Sequence, residues 1–182
     1  AMHAPDRDSG PGGLSALLHG CMPFIKFLDT ALGSLPAKFR FAGKVNRGVK
    51  WAFPRCGALP DGSWVTEHDP ESAFPVGHRF FWYEFKSSAQ DFAVMYLACF
   101  CGEAGPRTIF TILACEGYRI QVFSHLPNEA EVLFRPLSQF EVVAAQKRLA
   151  PQHLLQNAAK GGFPDEITLK QLPREGGGAA QA

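Results

Sequence analysis

The second half of the chain is a series of short strand-like segments separated by turn-forming residues, and this series restricts the possible folds more than any other feature. The strand-like segments cover residues 108–114, 119–124, 131–135, 139–144 and 165–172. Turn-forming residues stand at 116–117, 127–128 and 136. This pattern predicts short strands, with one short helix at 151–159 before the last of them.

The helical patterns lie in the first half. Apolar residues between Pro23 and Pro36 recur at helical spacing, and a second apolar helical stripe runs from 92 to 100. We expect Ser87 or Ser88 to cap that second helix, because Gln90 follows Ser87 at the spacing of a capping box. Helices that come early, followed by crowded strands, favour an α+β fold over alternating βαβ units.

Length and charge limit the organisation and the partners. The 182 residues fit one domain, expected at 14–172, with a flexible leader at 1–13 and a disordered tail at 173–182. The net charge is +1, so we expect neither nucleic acid nor a membrane as a partner. The sequence has no apolar run long enough for a membrane span and no signal-peptide pattern at its start. We therefore expect a cytoplasmic or intracellular protein, with secretion as an effector left open and the oligomeric state unknown.

The chain contains five cysteines, an odd number whose spacings match no disulfide framework. Cys99 and Cys101 have the spacing of half a metal site, but no second pair of ligands stands at a suitable distance along the chain. We expect buried free thiols and no metal. The cysteines are Cys21, Cys56, Cys99, Cys101 and Cys115.

Three short motifs, at 46–49, 85–89 and 129–133, occur in a specific order. The first contains Arg47, the second contains Ser87, and the third is a Glu-x-Glu motif that follows a strand and a turn. In this order and spacing they resemble the mono-ADP-ribosyltransferase family, in its arginine-directed branch with an Arg, Ser, Glu-x-Glu signature. The resemblance covers roughly residues 24–145.

The resemblance implies a fold and an activity. The fold is α+β, with N-terminal helices followed by two small, mostly antiparallel sheets around a NAD cleft. The activity is transfer of ADP-ribose from NAD to arginine side chains of target proteins or to a small guanidine. Nicotinamide is released, and hydrolysis of NAD is a side activity.

The resemblance assigns the catalytic roles to Glu131, Glu129, Ser87 and Arg47. Glu131 would bond the ribose 2′-hydroxyl and stabilise a transition state with oxocarbenium character, as in glycoside hydrolysis. Glu129 stands two residues earlier, so in a strand it would share the face of Glu131. It would receive the acceptor guanidinium as a two-pronged partner and help to remove its proton.

The resemblance assigns NAD binding to Arg47, Gly48, Ser87, Ser88 and Phe100. The guanidinium would hold phosphate or ribose oxygens, and glycine would allow backbone groups to approach the nicotinamide amide. Ser87 would bond the ribose or orient the catalytic glutamate, and Ser88 would stand at a helix start. Phe100 would cover the nicotinamide ring, with Tyr96 and Phe92 as alternatives.

Two positions depart from the family pattern. Ala89 stands where the third residue of a Ser-Thr-Ser-like motif carries a hydroxyl, and Asn46 stands where an aromatic or apolar residue is usual before Arg-Gly. These departures leave open a catalytically silent module that binds NAD, ADP-ribose or a protein. Two further alternatives are an acceptor other than protein arginine, and a thiol enzyme that uses Cys99 or Cys101. The motif residues also have ordinary interpretations as surface charges and a helix cap.

Overall fold

The computed structural model describes residues 16–53, 68–125, 129–155 and 159–174, and the chain divides into two units at Pro36. The expected leader at 1–13 and most of the expected tail lie outside the described residues, as do residues 126–128 of the turn before the Glu-x-Glu motif. Neither the leader, the tail nor the single domain is tested by the described part, so these boundaries stay predictions.

The described part of the first unit is one helix, α1 (Ala16–Gly33), which confirms the helical pattern before Pro36. The helix begins seven residues before the predicted start, so Pro23 lies inside it rather than at its first turn. Proline forgoes one backbone hydrogen bond there. After Gly33, the amides of Ser34 and Leu35 donate to Thr30 and Leu32, which closes the last turn before Pro36.

The second unit contains the strands. In its described residues these are β1 (Arg40–Val49), β2 (Arg79–Trp82), β3 (Lys86–Ala89), β4 (Thr108–Arg119), β5 (Glu131–Phe134), β6 (Ser138–Gln146) and β7 (Asp165–Gln171). The helical elements of this unit are short: α2 (Pro70–Ala73) and 3-10 helices at Ala37–Phe39, Phe92–Tyr96, Gln121–Phe123 and Pro151–Leu154. Strand-rich structure after early helices confirms the α+β prediction.

The strands pair in the order β1-β3-β5-β4-β7-β6-β2, and β1 also pairs with β4. The pairs are antiparallel except for β4 with β7. Because β1 and β5 both reach β3 and β4, these four strands form a closed ring of pairings. The division into two sheets stays a prediction, since hydrogen bonding links the described strands into one network.

The prediction of a turn at 116–117 is wrong, because β4 runs without a break through both residues. Gly117 is in the strand for a packing reason: a Cβ there would lie 2.6 Å from a methyl of Val132 on β5. The side chain of Gln171 also accepts from the amides of Cys115 and Glu116 at 2.9 and 2.8 Å. The sequence alone does not show whether a glycine is required by a turn or, as here, by the close packing of a neighbouring strand.

The prediction that Ser87 or Ser88 caps a helix is also wrong, since both lie in β3. The following 3-10 helix, Phe92–Tyr96, is instead capped by Asp91, whose carboxylate accepts from the amide of Ala93 at 2.9 Å. The stripe predicted for 92–100 splits accordingly: Met95 is buried, and Phe92 is exposed.

Three apolar clusters lie in the described part of the second unit: a large one, a smaller one, and a third that consists of Ala52, Leu149 and Leu154. The larger cluster fills the space between the long strands and contains Phe41, Phe110, Phe134 and Phe140 with aliphatic neighbours. The smaller cluster consists of Ala89, Met95, Cys101 and Ile109. Since Ala89 is the last residue of β3 and Ile109 is the second residue of β4, the smaller cluster supports the end of β3 where the motifs meet.

The cysteines of the described residues are free thiols. The expectation of burial is right for Cys101 and wrong for Cys21, Cys99 and Cys115, which are exposed. Cys56 lies outside the described residues. The helices in the described ranges include none with the length and apolar character of a membrane span.

Candidate active site

Arg47 and Ser87 are brought together by the packing of β1 against β3. The half-buried guanidinium of Arg47 donates through Nη1 to the carbonyl oxygen of Ser87 at 2.6 Å. Burial lowers the pKa of Arg47, and the negative charge of Glu84 partly opposes this effect. A guanidinium keeps its proton at neutral pH even so, and four of its five N–H donors are left for other partners.

The pairing of β3 with β5 places the serine motif beside the glutamate motif. Ala89 is the direct partner of Glu131, and Ser87 is the direct partner of Leu133. Alternate residues of a strand share a face, so Ser87 and Ala89 lie on the same face as Glu131. Ser87 is therefore a diagonal neighbour of Glu131, at a separation that side chains can span.

Glu129 does not lie in the strand, so the argument from alternation is wrong for this pair. β5 begins at Glu131, and Ala130 between the two glutamates has φ 45°, in the left-handed region. Two hydrogen bonds hold this strained segment. Gln90 Nε2 donates to the carbonyl oxygen of Ala130 at 3.2 Å, and the backbone amide of Ile120 donates to the carbonyl oxygen of Glu131 at 3.1 Å. A left-handed non-glycine residue costs about 1–3 kcal/mol, and such residues concentrate at functional sites.

Ser88 is buried and fastens the two strands. Its hydroxyl donates to the carbonyl oxygen of Val132 at 2.9 Å. The expected place at a helix start is wrong, because Ser88 is inside β3. In this position its hydroxyl supports β5 directly behind Glu131, so Ser88 would affect a bound nucleotide through the strand it holds.

Gly48 makes room for a buried thiol. A Cβ at this position would lie 2.6 Å from Cys101 Cβ and 3.1 Å from its backbone nitrogen. The absence of a side chain therefore lets the turn that carries Cys101 pack against β1. Approach of the Gly48 backbone to nicotinamide stays a prediction.

Phe100 is the best-supported of the three aromatic candidates. It is half-buried and packs against the cluster that contains Ala89, the partner of Glu131. Phe92 and Tyr96 are exposed and contact each other edge-on, with ring centroids 5.8 Å apart. The packing places Phe100 near the end of β3, and its stacking on nicotinamide stays a prediction.

Sequence reasoning missed two contributors: Gln90 and Glu84. The capping-box spacing predicts a capping role for Gln90, whereas its side-chain amide donates to the carbonyl oxygen of Ala130. The ammonium of Lys86, next to Ser87, contacts the carboxylate of Glu84. The signal in the sequence that could have found this ion pair is the i, i+2 spacing of two opposite charges, Glu84 and Lys86, just before Ser87.

The thiol alternative is weakened by the surroundings of Cys101. Burial raises the pKa of Cys101 to about 11, although the positive charges of Arg107 and Lys50 oppose this effect. Since the thiolate is the nucleophilic form, Cys101 is almost wholly unreactive at neutral pH. Within the described ranges, no three His, Cys, Asp or Glu side chains are grouped as metal ligands.

One cavity is lined by residues that do not belong to the three motifs. It has a volume of about 300 Å³ and is lined by Lys38, Phe39, Arg119, Gln121 and Val122. None of these residues belongs to the predicted site.

Comparison with solved structures finds the same fold in bacterial proteins. XopAI, a type III effector of Xanthomonas axonopodis pv. citri, is 24% identical, with 82% of this chain and 52% of that one covered and a TM-score of 0.53. ADP-ribosyltransferase HopU1 of Pseudomonas syringae pv. Tomato DC3000 is 19% identical, with 90% and 61% covered and a TM-score of 0.56. ADP-ribosyltransferase Vis of Vibrio splendidus, in complex with agmatine, is 16% identical, with 92% and 65% covered and a TM-score of 0.56.

This chain thus spans about half to two thirds of the length of these proteins. No curated protein sequence matches it significantly. A sequence model of a family described as NAD:arginine ADP-ribosyltransferase matches residues 21–161, which is most of the chain and includes all three motifs. On that match, the chain belongs to the NAD:arginine ADP-ribosyltransferase family, whose co-substrate is NAD.

Proposed function

We propose that this chain transfers ADP-ribose from NAD to the guanidinium of arginine side chains on target proteins, with release of nicotinamide and with hydrolysis of NAD as a side activity. Membership of the family supports NAD as the co-substrate. The observation that carries the proposal is the register of β3 with β5, which sets Glu131 opposite Ala89 and diagonal to Ser87. Arg47 reaches the same strand through the carbonyl of Ser87.

These residue types suit NAD. The guanidinium of Arg47 offers paired donors to phosphate oxygens, and the carboxylate of Glu131 accepts from a ribose hydroxyl. In the reaction, the bond from ribose C1′ to the nicotinamide nitrogen breaks, and its electron pair leaves with nicotinamide. Glu131 stabilises the positive charge that develops on the ribose, an effect worth several kcal/mol, or about 3 for a single preorganised group.

Glu129 is our candidate for the acceptor side. A guanidine nitrogen attacks C1′, and the proton that it loses passes to the Glu129 carboxylate. Within the described residues, neither Glu129 nor Glu131 is engaged in a hydrogen bond or ion pair by its side chain, so both carboxylates are available. The complex of Vis with agmatine, a small guanidine, supports a guanidine acceptor for a protein of this fold.

A silent binding module is the second candidate, and Ala89 is the observation that favours it. The residue directly opposite Glu131 offers no hydroxyl to orient the carboxylate. Such a module would bind NAD without release of nicotinamide.

The experiment measures nicotinamide release from NAD, with and without agmatine, for the wild type and for Glu131→Gln. We expect release that agmatine stimulates and that the variant loses. Glu141→Gln is the matched control, because its carboxylate pairs with Arg79 on β2 and should be irrelevant to the reaction. Full activity of Glu131→Gln would contradict the assignment, and wild-type binding of NAD without release would favour the silent module.

A further inference from the structure

Gln90 is the first residue after β3, and its backbone is held from both sides. Ala89 before it is the last residue of β3, is buried, and is the register partner of Glu131. Asp91 after it caps the following 3-10 helix with its carboxylate. The Gln90 side chain therefore extends from a fixed point, and its amide reaches the carbonyl oxygen of Ala130 at 3.2 Å.

This bond is made at the residue that decides how the two glutamates stand relative to each other. Ala130 has φ 45°, which differs by roughly half a turn from the φ of an extended residue. A change of that size turns the preceding residue, Glu129, about the N–Cα bond of Ala130. Glu131 does not follow this rotation, because its carbonyl accepts from the amide of Ile120 and its register with Ala89 is fixed. The backbone of Ala130 thus sets the position of Glu129 relative to Glu131.

The Gln90 bond favours the left-handed conformation of Ala130 over the extended one. The two conformations differ in ψ by roughly 90° as well as in φ, so an extended Ala130 would turn its carbonyl oxygen away from Gln90. The strain of a left-handed non-glycine residue is of the same order as the contribution of one hydrogen bond. A single bond to this carbonyl is therefore enough to shift the balance between the two conformations.

We propose that Gln90 is a positioning residue for the acceptor, and that through Ala130 it sets how ADP-ribose is divided between a guanidine and water. The proposal rests on the proposed function, in which Glu129 takes the proton of the guanidine. In both routes the bond from C1′ to nicotinamide breaks, and its electron pair leaves with nicotinamide. The new bond to C1′ comes from a guanidine nitrogen, whose proton passes to Glu129, or from a water oxygen, whose proton passes to solvent. Only the first route depends on where Glu129 stands.

The test measures the modified agmatine and the free ADP-ribose that form from NAD. Gln90→Met removes the donor and keeps the length of the side chain at an exposed position. We expect the ratio of modified agmatine to free ADP-ribose to fall about fivefold, with a higher KM for agmatine and an unchanged KM for NAD. Gln152→Met, at an exposed position in the 3-10 helix Pro151–Leu154, is the matched control and should keep the wild-type ratio.

Two substitutions of Ala130 separate positioning from stability. Ala130→Gly removes the strain of the left-handed conformation, so in the Gln90→Met background it should bring the ratio back to within about twofold of the wild type. Ala130→Val introduces a β-branched residue that disfavours positive φ, and it should lower the ratio even when Gln90 is present. A loss of stability alone would reduce both products together and leave their ratio unchanged. If Ala130→Val does not fold, the other variants decide the question.

The proposal and the proposed function fail in different ways. An unchanged ratio in Gln90→Met, an equal loss of both products, or no recovery on adding Ala130→Gly would overturn the role of Gln90, and a wild type that modifies agmatine would still support the transferase. A wild type that hydrolyses NAD without modifying agmatine refutes the guanidine acceptor and the role of Gln90 with it. A wild type that releases no nicotinamide refutes the whole proposed function together with this role.

Discussion

Asn46 and Ala89 are direct register partners in the pairing of β1 with β3. Their exposed fractions are only 2% and 1%, and Asn46 Oδ1 accepts from the hydroxyl of Thr111 on β4 at 3.3 Å. These are the two positions at which the chain departs from the family's pattern. They are therefore one structural feature, a buried junction of three strands, rather than two independent losses.

This junction predicts the effect of restoring the missing hydroxyl. Ala89→Ser places a polar group in the cluster with Met95 and Cys101, while Asn46 is already bonded to Thr111. We expect the free energy of unfolding to fall by about 1–3 kcal/mol, since a buried hydroxyl without a partner costs about that much. Urea denaturation checks this, with Ala145→Ser on β6 as the control. An unchanged stability with a higher kcat would show instead that the missing hydroxyl limits the positioning of Glu131.

The two glutamates are expected to separate transfer from hydrolysis. Glu129→Gln removes the carboxylate that accepts two hydrogen bonds and a proton from the guanidinium. Water as the acceptor does not need such a bidentate partner. We expect agmatine modification to fall about 100-fold or more, with part of the NAD hydrolysis retained. The measurement is the ratio of modified agmatine to free ADP-ribose by chromatography. Equal loss of both products would remove Glu129 from the acceptor side.

Local sequence patterns predicted the elements better than they predicted the contacts. The strands at 131–135, 139–144 and 165–172 are confirmed by β5, β6 and β7, because alternation and flanking turns are local properties. The turn predicted at 116–117 is wrong, because Gly117 is required by close packing against Val132 on another strand and not by a turn. A one-letter pattern does not distinguish these two causes.

The same limit applies to the site. The motifs were found in the sequence, but their register was not, because it depends on pairing between strands that are more than 40 residues apart. The strand argument for Glu129 failed at Ala130, whose left-handed backbone is imposed by bonds from Gln90 and its surroundings. Glu84 was missed because its charge acts on Arg47, which is far from it in the sequence.

Gly48 and Cys101 should show a steric coupling. Gly48→Ala brings a Cβ to 2.6 Å from Cys101 Cβ, so something must shift. We expect a loss of about 1–3 kcal/mol in the free energy of unfolding, the usual cost of overpacking. Cys101→Gly in the same chain should restore part of that loss, whereas Cys101→Ala, which keeps the Cβ, should restore less. Additive effects in the double variants would contradict the contact, and Gly20→Ala, with nothing within 4 Å, is the control.

Cys101 should make stability fall at alkaline pH. Burial raises the pKa of Cys101 from its ordinary value near 9 to about 11. Because the folded state disfavours the thiolate, the stabilising contribution is complete below about pH 9 and is lost as the pH rises through 11. Relative to Cys101→Ala, the wild type should lose about 2 kcal/mol of unfolding free energy across this range.

The comparison of the wild type with Cys101→Ala isolates the ionisation of the Cys101 thiol from that of the other groups. Tyr118 and Cys115 also have pKa values raised by burial, but both residues are present in the wild type and in the variant. Urea denaturation at pH 8 and at pH 10.5 gives the difference, and Cys99→Ala, at an exposed position, should behave as the wild type does. Iodoacetamide at pH 8 should correspondingly modify Cys99 and spare Cys101, as judged by mass spectrometry. Parallel pH dependence in the wild type and Cys101→Ala, or rapid modification of Cys101, would show that this thiol is not held in the buried, protonated state.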